Sequence, residues 1–245
     1  MAGLFLAACV TALATGLGAL PVYAFRSNTA RMESILWGVA AGVMTVAAIQ
    51  GLLLPGLRNS GNSGVWLGLA AGVVFLLIAR HLLDARHVHV GDVQGADARR
   101  ALLIFGVLLV HSLPEGMALG AAWATGSANL GLFVFLAIAL QNIPEGTAAA
   151  IPLREAGYGV GRAVVAAILT SAPQPVGAIA AFLLVTSVES LLGPSFGFAA
   201  GAMLALVVVE IAPVVLAGRE RVAGGAAAVL AGAITALLGT LLSVA

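Results

Sequence analysis

The strongest constraint on the fold of this chain is a series of eight long apolar stretches separated by short polar breaks. They cover about residues 2–24, 32–54, 64–84, 100–122, 128–151, 159–186, 190–217 and 222–244. A helix needs about 20 apolar residues to cross the hydrocarbon core of a bilayer. Of the 245 residues only 9% are charged, whereas a soluble domain has about 25%. The sequence therefore predicts an all-α integral membrane protein, in which residues 1–245 form a single transmembrane domain of eight helices.

The positions of the arginines predict how these helices are oriented, because cytoplasmic loops carry an excess of basic residues. Arg58 alone lies in an even-numbered loop. The odd-numbered loops and their edges hold Arg26, Arg31, Arg80, Arg86, Arg99, Arg100, Arg154, Arg162, Arg219 and Arg221. We therefore expect a multi-pass protein with cytoplasmic odd loops and both termini outside. The use of Arg without Lys, together with abundant Ala and Gly, is typical of a high-GC bacterial genome, which predicts the bacterial cytoplasmic (inner) membrane.

Composition and missing motifs exclude several classes of function. A net charge of +1 and singly scattered arginines offer no basic patch for a phosphate backbone, so nucleic-acid binding is not expected. The chain has no HExxH, GxSxG or Walker motif, and the breaks are too short to form an ATP-binding domain. We therefore expect neither an enzyme nor an ATP-driven pump. The single Cys9 cannot form an intramolecular disulfide.

Two related motifs place ionisable side chains deep inside the apolar stretches. The fourth stretch contains His111-Ser-Leu-Pro-Glu115-Gly, and the fifth contains Gln141-Asn-Ile-Pro-Glu145-Gly. Residues four apart share a helix face, so His111 lies over Glu115 and Gln141 over Glu145. A charged side chain is costly in a membrane and indicates a functional site. If the two faces turn toward each other, they surround a divalent metal ion with an imidazole, an amide and two carboxylates.

The chemistry of these ligands indicates the type of ion. No arginine lies deep in an apolar stretch, so the two glutamates are either protonated or paired with a cation. Two carboxylates with neutral His111 and Gln141 balance one divalent ion, and this ligand set suits Zn²⁺ and also Cd²⁺, Mn²⁺ or Fe²⁺. Pro114 and Pro144 each remove a backbone N–H and so free the carbonyl four residues earlier, at Val110 and Leu140, beside the first ligand of each helix. Membranes tolerate such broken backbone bonding where it lines a cavity or a site.

Four further polar residues in the apolar stretches have two interpretations each. Ser112 and Asn142 either form a secondary site or hydrogen-bond a neighbouring helix. Gln174 lies between two prolines, where a helix must break, and either adds an amide oxygen ligand or caps freed carbonyls. Glu210 precedes a proline by three residues and is either a proton or metal relay or a protonated side chain bonded to backbone.

Histidines and methionine give weaker signals. His87 and His89 lie in the polar segment 84–100, where they either bind an exiting ion loosely or are solvated loop residues without a role. Met44 is not identified as a ligand by its spacing, since methionine in an apolar helix is usually core or lipid-facing filler.

The chain resembles the ZIP (Zrt/Irt-like) metal transporters, specifically their bacterial branch, over nearly its whole length. The paired Pro-Glu-Gly motifs are the most specific part of the resemblance. Supporting segments are Ala14-Thr-Gly-Leu-Gly-Ala-Leu-Pro21, Gly38-Val-Ala-Ala-Gly-Val-Met44, Pro173-Gln-Pro-Val-Gly-Ala178 and Val209-Glu-Ile-Ala-Pro213. The resemblance implies a 3+2+3 arrangement of helices, with the first and last three related by an inverted repeat. It also implies metal import by elevator-type alternating access, and a homodimer.

Carried over by position, the resemblance also implies which residues bind metal. The main transport site comprises Met44, His111, Glu115, Gln141 and Glu145, and the two glutamates are able to bridge to a second ion. Where relatives with two ions have Asn, Asp and Glu, this chain has Ser112, Asn142 and Gln174. Two amides in place of carboxylates remove two negative charges, so a second divalent ion would lack neutralising charge. We therefore expect one ion, with neutral residues orienting its ligands.

Two alternatives to a metal importer are open at this point. A carrier or exporter of a small organic solute would contain the carboxylate pair by chance and would show no metal dependence. A membrane sensor would bind metal without moving it across the bilayer.

Overall fold

The computed structural model describes residues 1–24, 29–60, 62–85, 96–155, 157–217 and 219–244. These residues contain eight helices that are long and apolar enough to cross a membrane, and no strand. The helices are α1 (Ala2–Ala24), α2 (Thr29–Val46, Ala47–Leu53 and Leu54–Asn59), α3 (Asn62–Ala85), α4 (Ala96–Ala124), α5 (Ala128–Glu155), α6 (Val160–Thr170 and Pro173–Ser187), α7 (Leu192–Leu206, Val207–Ile211 and Ala212–Ala217) and α8 (Arg221–Leu241). The prediction of an all-α protein with eight spans is confirmed.

The helices extend beyond several of the predicted apolar stretches. The second stretch was expected to end at residue 54, but α2 continues to Asn59, and α4 begins at Ala96 rather than at residue 100. Hydropathy marks only the part of a helix that lies in hydrocarbon, whereas a helix continues into the polar interface wherever its backbone bonds are kept. At these two ends the helix is therefore longer than its apolar stretch.

The two motif helices are not broken at their prolines. Both α4 and α5 remain α-helical across Pro114 and Pro144, so neither helix ends there, although each proline still lacks the N–H that would bond the carbonyl of Val110 or Leu140. The break predicted around Gln174 is present, since α6 stops at Thr170 and restarts at Pro173.

Irregular helix occurs instead in α2 and α7. Residues Ala47–Leu53 and Val207–Ile211 are π-helical, and each segment ends two residues before a proline. A proline ring clashes with the carbonyl of the preceding turn in a regular α-helix. The wider π turn moves that carbonyl aside, so the chain continues as helix through Pro55 and Pro213.

Helix pairing has an internal two-fold pattern. The four most closely packed pairs are α1 with α5, α4 with α6, α2 with α8 and α3 with α7. The pairs correspond to one another when α1, α2 and α3 are matched with α6, α7 and α8, and α4 is matched with α5. The pair α1–α5 then corresponds to α6–α4, and the pair α2–α8 corresponds to α7–α3. This is the 3+2+3 organisation with an inverted repeat that the family resemblance implies.

The same pairing divides the bundle into two groups of helices. The central group consists of α1, α4, α5 and α6, and the outer group consists of α2, α3, α7 and α8. The groups meet mainly where α2 packs on α5 and α4 packs on α7. We call this boundary the seam.

The glycines of both motifs allow the central group to pack closely. A Cβ atom at Gly116 would overlap the backbone carbonyl of Gln174 on α6, and one at Gly146 would overlap that of Thr15 on α1. Small residues permit such backbone contact between helices in lipid. The glycine of each motif therefore holds its helix against α6 or α1.

Contacts at the helix ends group the loops as the arginine positions predicted. Arg154 donates a hydrogen bond to the carbonyl of Val22, and Arg31 Nε lies 3.8 Å from Glu220 Oε2. The first, fifth and seventh loops are thus together at one end of the bundle. Arg58 lies at the opposite end, where it donates to a carbonyl near the C-terminus.

Candidate metal centre

The two motif helices bring three potential ligands together in the middle of the bundle. One ligand atom from each of His111, Glu115 and Glu145 lies within 4.8 Å of the others. All three side chains are fully buried. His111 Nε2 lies 3.5 Å from Glu115 Oε1, so the i, i+4 spacing does place both on one face of α4.

Several buried atoms of this cluster have no hydrogen-bond partner among the described residues. They are His111 Nδ1 and Nε2, Gln141 Oε1 and Glu145 Oε1. A buried polar atom without a partner costs about 1–3 kcal/mol. Imidazole nitrogen, amide oxygen and carboxylate oxygen are ligands for borderline divalent ions such as Zn²⁺. The residues present therefore fit a divalent cation.

Two neutral amide groups hold Glu115 in place. The amide nitrogen of Gln141 donates to Oε1 of Glu115, and Gln174 Nε2 donates to Oε2 at 2.5 Å. The first bond leaves the carbonyl oxygen of Gln141 directed away from the carboxylate. Glu115 is thus positioned by side chains from α5 and α6.

Gln174 is oriented by a network of hydrogen bonds that reaches α1. Its Oε1 accepts from Thr11 Oγ1 at 2.9 Å and from Asn142 Nδ2 at 3.2 Å. Asn142 Nδ2 also donates to the backbone carbonyl of Thr11 at 2.7 Å. Asn142 donates to Gln174 Oε1, and the amino group of Gln174 faces Glu115. Gln174 therefore contacts the main site directly, through its amide nitrogen and not through its amide oxygen.

The other candidate residues lie in different surroundings. Ser112 Oγ donates to the carbonyl of Leu108 in its own helix at 2.9 Å, so it bonds neither a neighbouring helix nor the cluster. Met44 on α2 is fully buried in the apolar core. Its role as a ligand stays a prediction. His87 and His89 lie outside the described residues.

Glu210 has a partner that neither sequence interpretation included. Its Oε1 lies 2.9 Å from Nε of Arg80 on α3, which the sequence analysis had assigned to the third loop. Glu210 is 30% exposed, in contrast to the fully buried glutamates of the motifs. Its role as a relay stays a prediction.

Sequence reasoning missed the contribution of α1 to the site. Besides Thr11, Thr15 forms a buried hydrogen bond of 2.6 Å with Ser171 at the break of α6. Thr147, two residues after Glu145 on α5, donates to the carbonyl of Gly18 at 2.6 Å. The signal was the i, i+4 spacing of the two threonines on α1, which places both on one helix face.

An eight-helix bundle with a buried imidazole, amide and carboxylate cluster between its central helices defines a class of protein. It is a multi-pass membrane protein with a candidate divalent-metal centre at the depth of the bilayer.

Comparison with known sequences identifies the family within this class. The sequence model of the family described as ZIP zinc transporter matches residues 80–244. Zinc transporter GufA of Myxococcus xanthus is 34% identical over 219 residues, which are 84% of this chain and 86% of that protein. Zinc transporter ZIPB of Bordetella bronchiseptica is 34% identical over 212 residues, covering 82% of this chain and 68% of that protein. The chain belongs to the ZIP zinc transporter family.

A plant relative has a different length. It comes from Arabidopsis thaliana and is 37% identical over 204 residues, but the chain spans only 33% of that protein. The bacterial relatives are named as transporters and not as enzymes. This agrees with the expectation from the missing catalytic motifs.

Proposed function

We propose that this protein is a secondary transporter that imports a divalent metal ion, with Zn²⁺ as its main substrate, across a bacterial inner membrane into the cytoplasm. The observation that supports this most strongly is the group of buried ligand atoms without hydrogen-bond partners on α4 and α5. Membership of a zinc transporter family supports zinc as the substrate. Cd²⁺, Mn²⁺ and Fe²⁺ accept the same ligand types and are candidate competitors.

The ion is bound by His111, Glu115, Gln141 and Glu145. The two carboxylates neutralise its charge where water is excluded, and this compensates for much of the cost of removing its hydration shell. Gln141 donates its amide nitrogen to Glu115. When the ion arrives, this amide rotates, so that its oxygen replaces its nitrogen beside Glu115 and becomes a ligand.

The site takes one ion rather than two. Gln174 directs an N–H group at Glu115 Oε2 from 2.5 Å, and that N–H group stands where a second cation would approach. A second divalent ion there would meet a donor instead of an acceptor, in surroundings of low dielectric constant. Asn142 holds the oxygen of Gln174 away from Glu115 by donating to it, and Thr11 Oγ1 lies 2.9 Å from the same oxygen.

Transport proceeds by alternating access between the two helix groups. All four polar ligands and the network around Gln174 belong to the central group. Movement of this group along the seam would carry the bound ion from one face of the bilayer to the other. Met44 is the exception, since it lies on α2 of the outer group, and the same movement would separate it from the other ligands.

The test is zinc uptake into sealed proteoliposomes that contain a fluorescent chelator, with Glu145→Gln as the comparison. This change keeps the shape of the side chain and removes one of the two charges that neutralise the ion. We expect zinc-dependent uptake by the wild type and its loss in Glu145→Gln. Competition by Cd²⁺, Mn²⁺ and Fe²⁺ then ranks the substrates.

Zinc binding in detergent separates the alternatives. Binding by the wild type without uptake above empty vesicles would favour a membrane sensor and overturn the transporter proposal. Uptake that needs neither metal nor Glu145 would favour a carrier of an organic solute.

A further inference from the structure

Arg80 and Glu210 form an ion pair outside the metal centre. Arg80 Nε lies 2.9 Å from Glu210 Oε1, and the two side chains are 41% and 30% exposed. Charged side chains within membrane helices are rare, face a cavity or the interior of the bundle, and mark ion pathways. A role in ion movement is therefore a good reason for this pair.

The pair lies close to the metal centre along α4. It lines a small cavity together with Leu76 and Leu83 of α3 and with Val107 and Val110 of α4. Val110 directly precedes His111, and Val107 is one turn earlier, about 6 Å along the helix axis. The cavity is therefore lined by the turn of α4 that directly precedes His111.

The cavity also lies where the two helix groups meet. It is formed by α4 of the central group and by α3 and α7 of the outer group. From the metal centre it extends toward the beginning of α4 and the end of α3, the side that the arginine distribution assigns to the cytoplasm. An ion that leaves the centre along this part of the seam passes between Val107 and the ion pair.

The charges of the pair oppose such a passage. The other cavity residues are apolar, so Glu210 supplies the negative charge of the cavity and Arg80 cancels it. A guanidinium group stays protonated at any physiological pH and repels a divalent cation. The long side chain of arginine can, however, swing toward the interface while its stem stays on apolar surface.

On the basis of the transport function proposed above, we propose that Arg80 is an electrostatic gate for release of the metal ion to the cytoplasm. Paired with Glu210, Arg80 closes the seam to cations. When the helix groups move and Arg80 turns outward, Glu210 is uncovered and its charge draws the ion away from the motif ligands. Arg80 thus sets the rate of release and not the affinity of the metal centre.

The test compares Arg80→Gln, Glu210→Gln and the double variant in the zinc uptake assay, with zinc binding in detergent measured for each. Arg80→Gln removes the barrier, and we expect initial uptake to rise several-fold. Glu210→Gln removes the carboxylate and leaves the positive charge of Arg80 in the seam, and we expect a several-fold loss of initial uptake. The initial uptake of the double variant should lie between those of the two single variants. All three variants should bind zinc with the wild-type affinity. Arg162→Gln, at an exposed arginine of α6, is the matched control and should behave like the wild type.

Specific results would overturn the gate. Uptake by Arg80→Gln that equals or falls below the wild type, with unchanged zinc binding, would show that Arg80 is no barrier. If either single variant fails to fold, the charge-exchanged variant Arg80→Glu with Glu210→Arg keeps both charges of the pair. An initial uptake rate of this variant far from the wild-type rate would exclude the gate. Absence of uptake by the wild type would instead refute the transport function itself.

Discussion

At the scale of single residues, neighbouring polar side chains of a motif have different roles: some face the candidate metal centre, and others bond to the backbone of their own helix. His111 and Ser112 are adjacent and both fully buried, yet their polar atoms have different surroundings. Both imidazole nitrogens of His111 lack a hydrogen-bond partner, whereas the hydroxyl of Ser112 is bonded to the carbonyl one turn earlier. The adjacent pair therefore offers a matched test of the metal centre.

We expect His111→Ala to weaken zinc binding at least about tenfold, or about 1.4 kcal/mol, because it removes the nitrogen ligand. Ser112→Ala should leave the affinity unchanged, since it removes only a hydrogen bond within α4. Isothermal titration of the purified protein in detergent measures both. Equal affinities for the two variants would place the ion elsewhere.

Gln174 tests the number of ions. In Gln174→Glu a third carboxylate faces Glu115 in place of an N–H donor. We expect the zinc content to rise from one to two ions per chain, measured by elemental analysis of the purified protein. Gln174→Met, which removes the donor without adding charge, is the control and should stay at one ion. One ion in Gln174→Glu would mean that the amide is not what excludes the second.

At the scale of helices, the packing of the central group depends on the glycine of each motif. Gly146 meets the backbone of α1, whose carbonyl oxygen at Thr15 stands where a Cβ atom would be. Backbone atoms cannot move aside as a flexible side chain does, so α5 and α1 would have to separate. Gly161 on α6, by contrast, has nothing within 4 Å of its Cβ position.

We therefore expect Gly146→Ala to lower the free energy of unfolding by about 1–3 kcal/mol. Gly161→Ala should have no effect or stabilise slightly, because alanine favours helix more than glycine does. Thermal unfolding in the same detergent compares the two variants. If Gly146→Ala unfolds at the same midpoint temperature as the wild type, the packing of α1 against α5 does not depend on this contact.

At the scale of the whole molecule, the two helix groups make a prediction about movement. The Cβ position of Gly51 on α2 is 3.2 Å from Val134 Cγ2 on α5, so a disulfide there would join the groups across the seam. The Cβ position of Gly16 on α1 is 2.7 Å from Ile168 Cγ1 on α6, and both helices belong to the central group. The first link would block alternating access and the second would not.

With Cys9 replaced by Ser, oxidised Gly51→Cys with Val134→Cys should lose zinc uptake and regain it on reduction. Oxidised Gly16→Cys with Ile168→Cys should transport in both states. Full zinc uptake by the oxidised Gly51→Cys, Val134→Cys variant would argue against movement of the two helix groups relative to each other. The homodimer that the family resemblance implies stays a prediction at this scale.

The helices and the residues of the candidate metal centre could be predicted from the sequence because both depend on local rules. Each transmembrane helix satisfies its own backbone hydrogen bonds, so a long apolar stretch is enough to predict it. The spacing of His111 and Glu115, and of Gln141 and Glu145, places each pair on one face of its helix whatever surrounds it. We expected the two pairs to face each other because a buried charge is costly without a partner. The structure brings Glu115 and Glu145 together.

Only the tertiary structure decided which distant partners these residues have. Thr11 and Gln174 are 163 residues apart, and the hydrogen bond between them depends on how α1 packs against α6. The pairing of Arg80 with Glu210 depends in the same way on α3 and α7. No periodicity within one helix encodes such a contact, because the rotation and depth of a helix in the bundle are set by packing against its neighbours. Hydropathy and spacing therefore predicted which side chains form the candidate metal centre, whereas helix packing decided how those side chains are held and which residues lie around them.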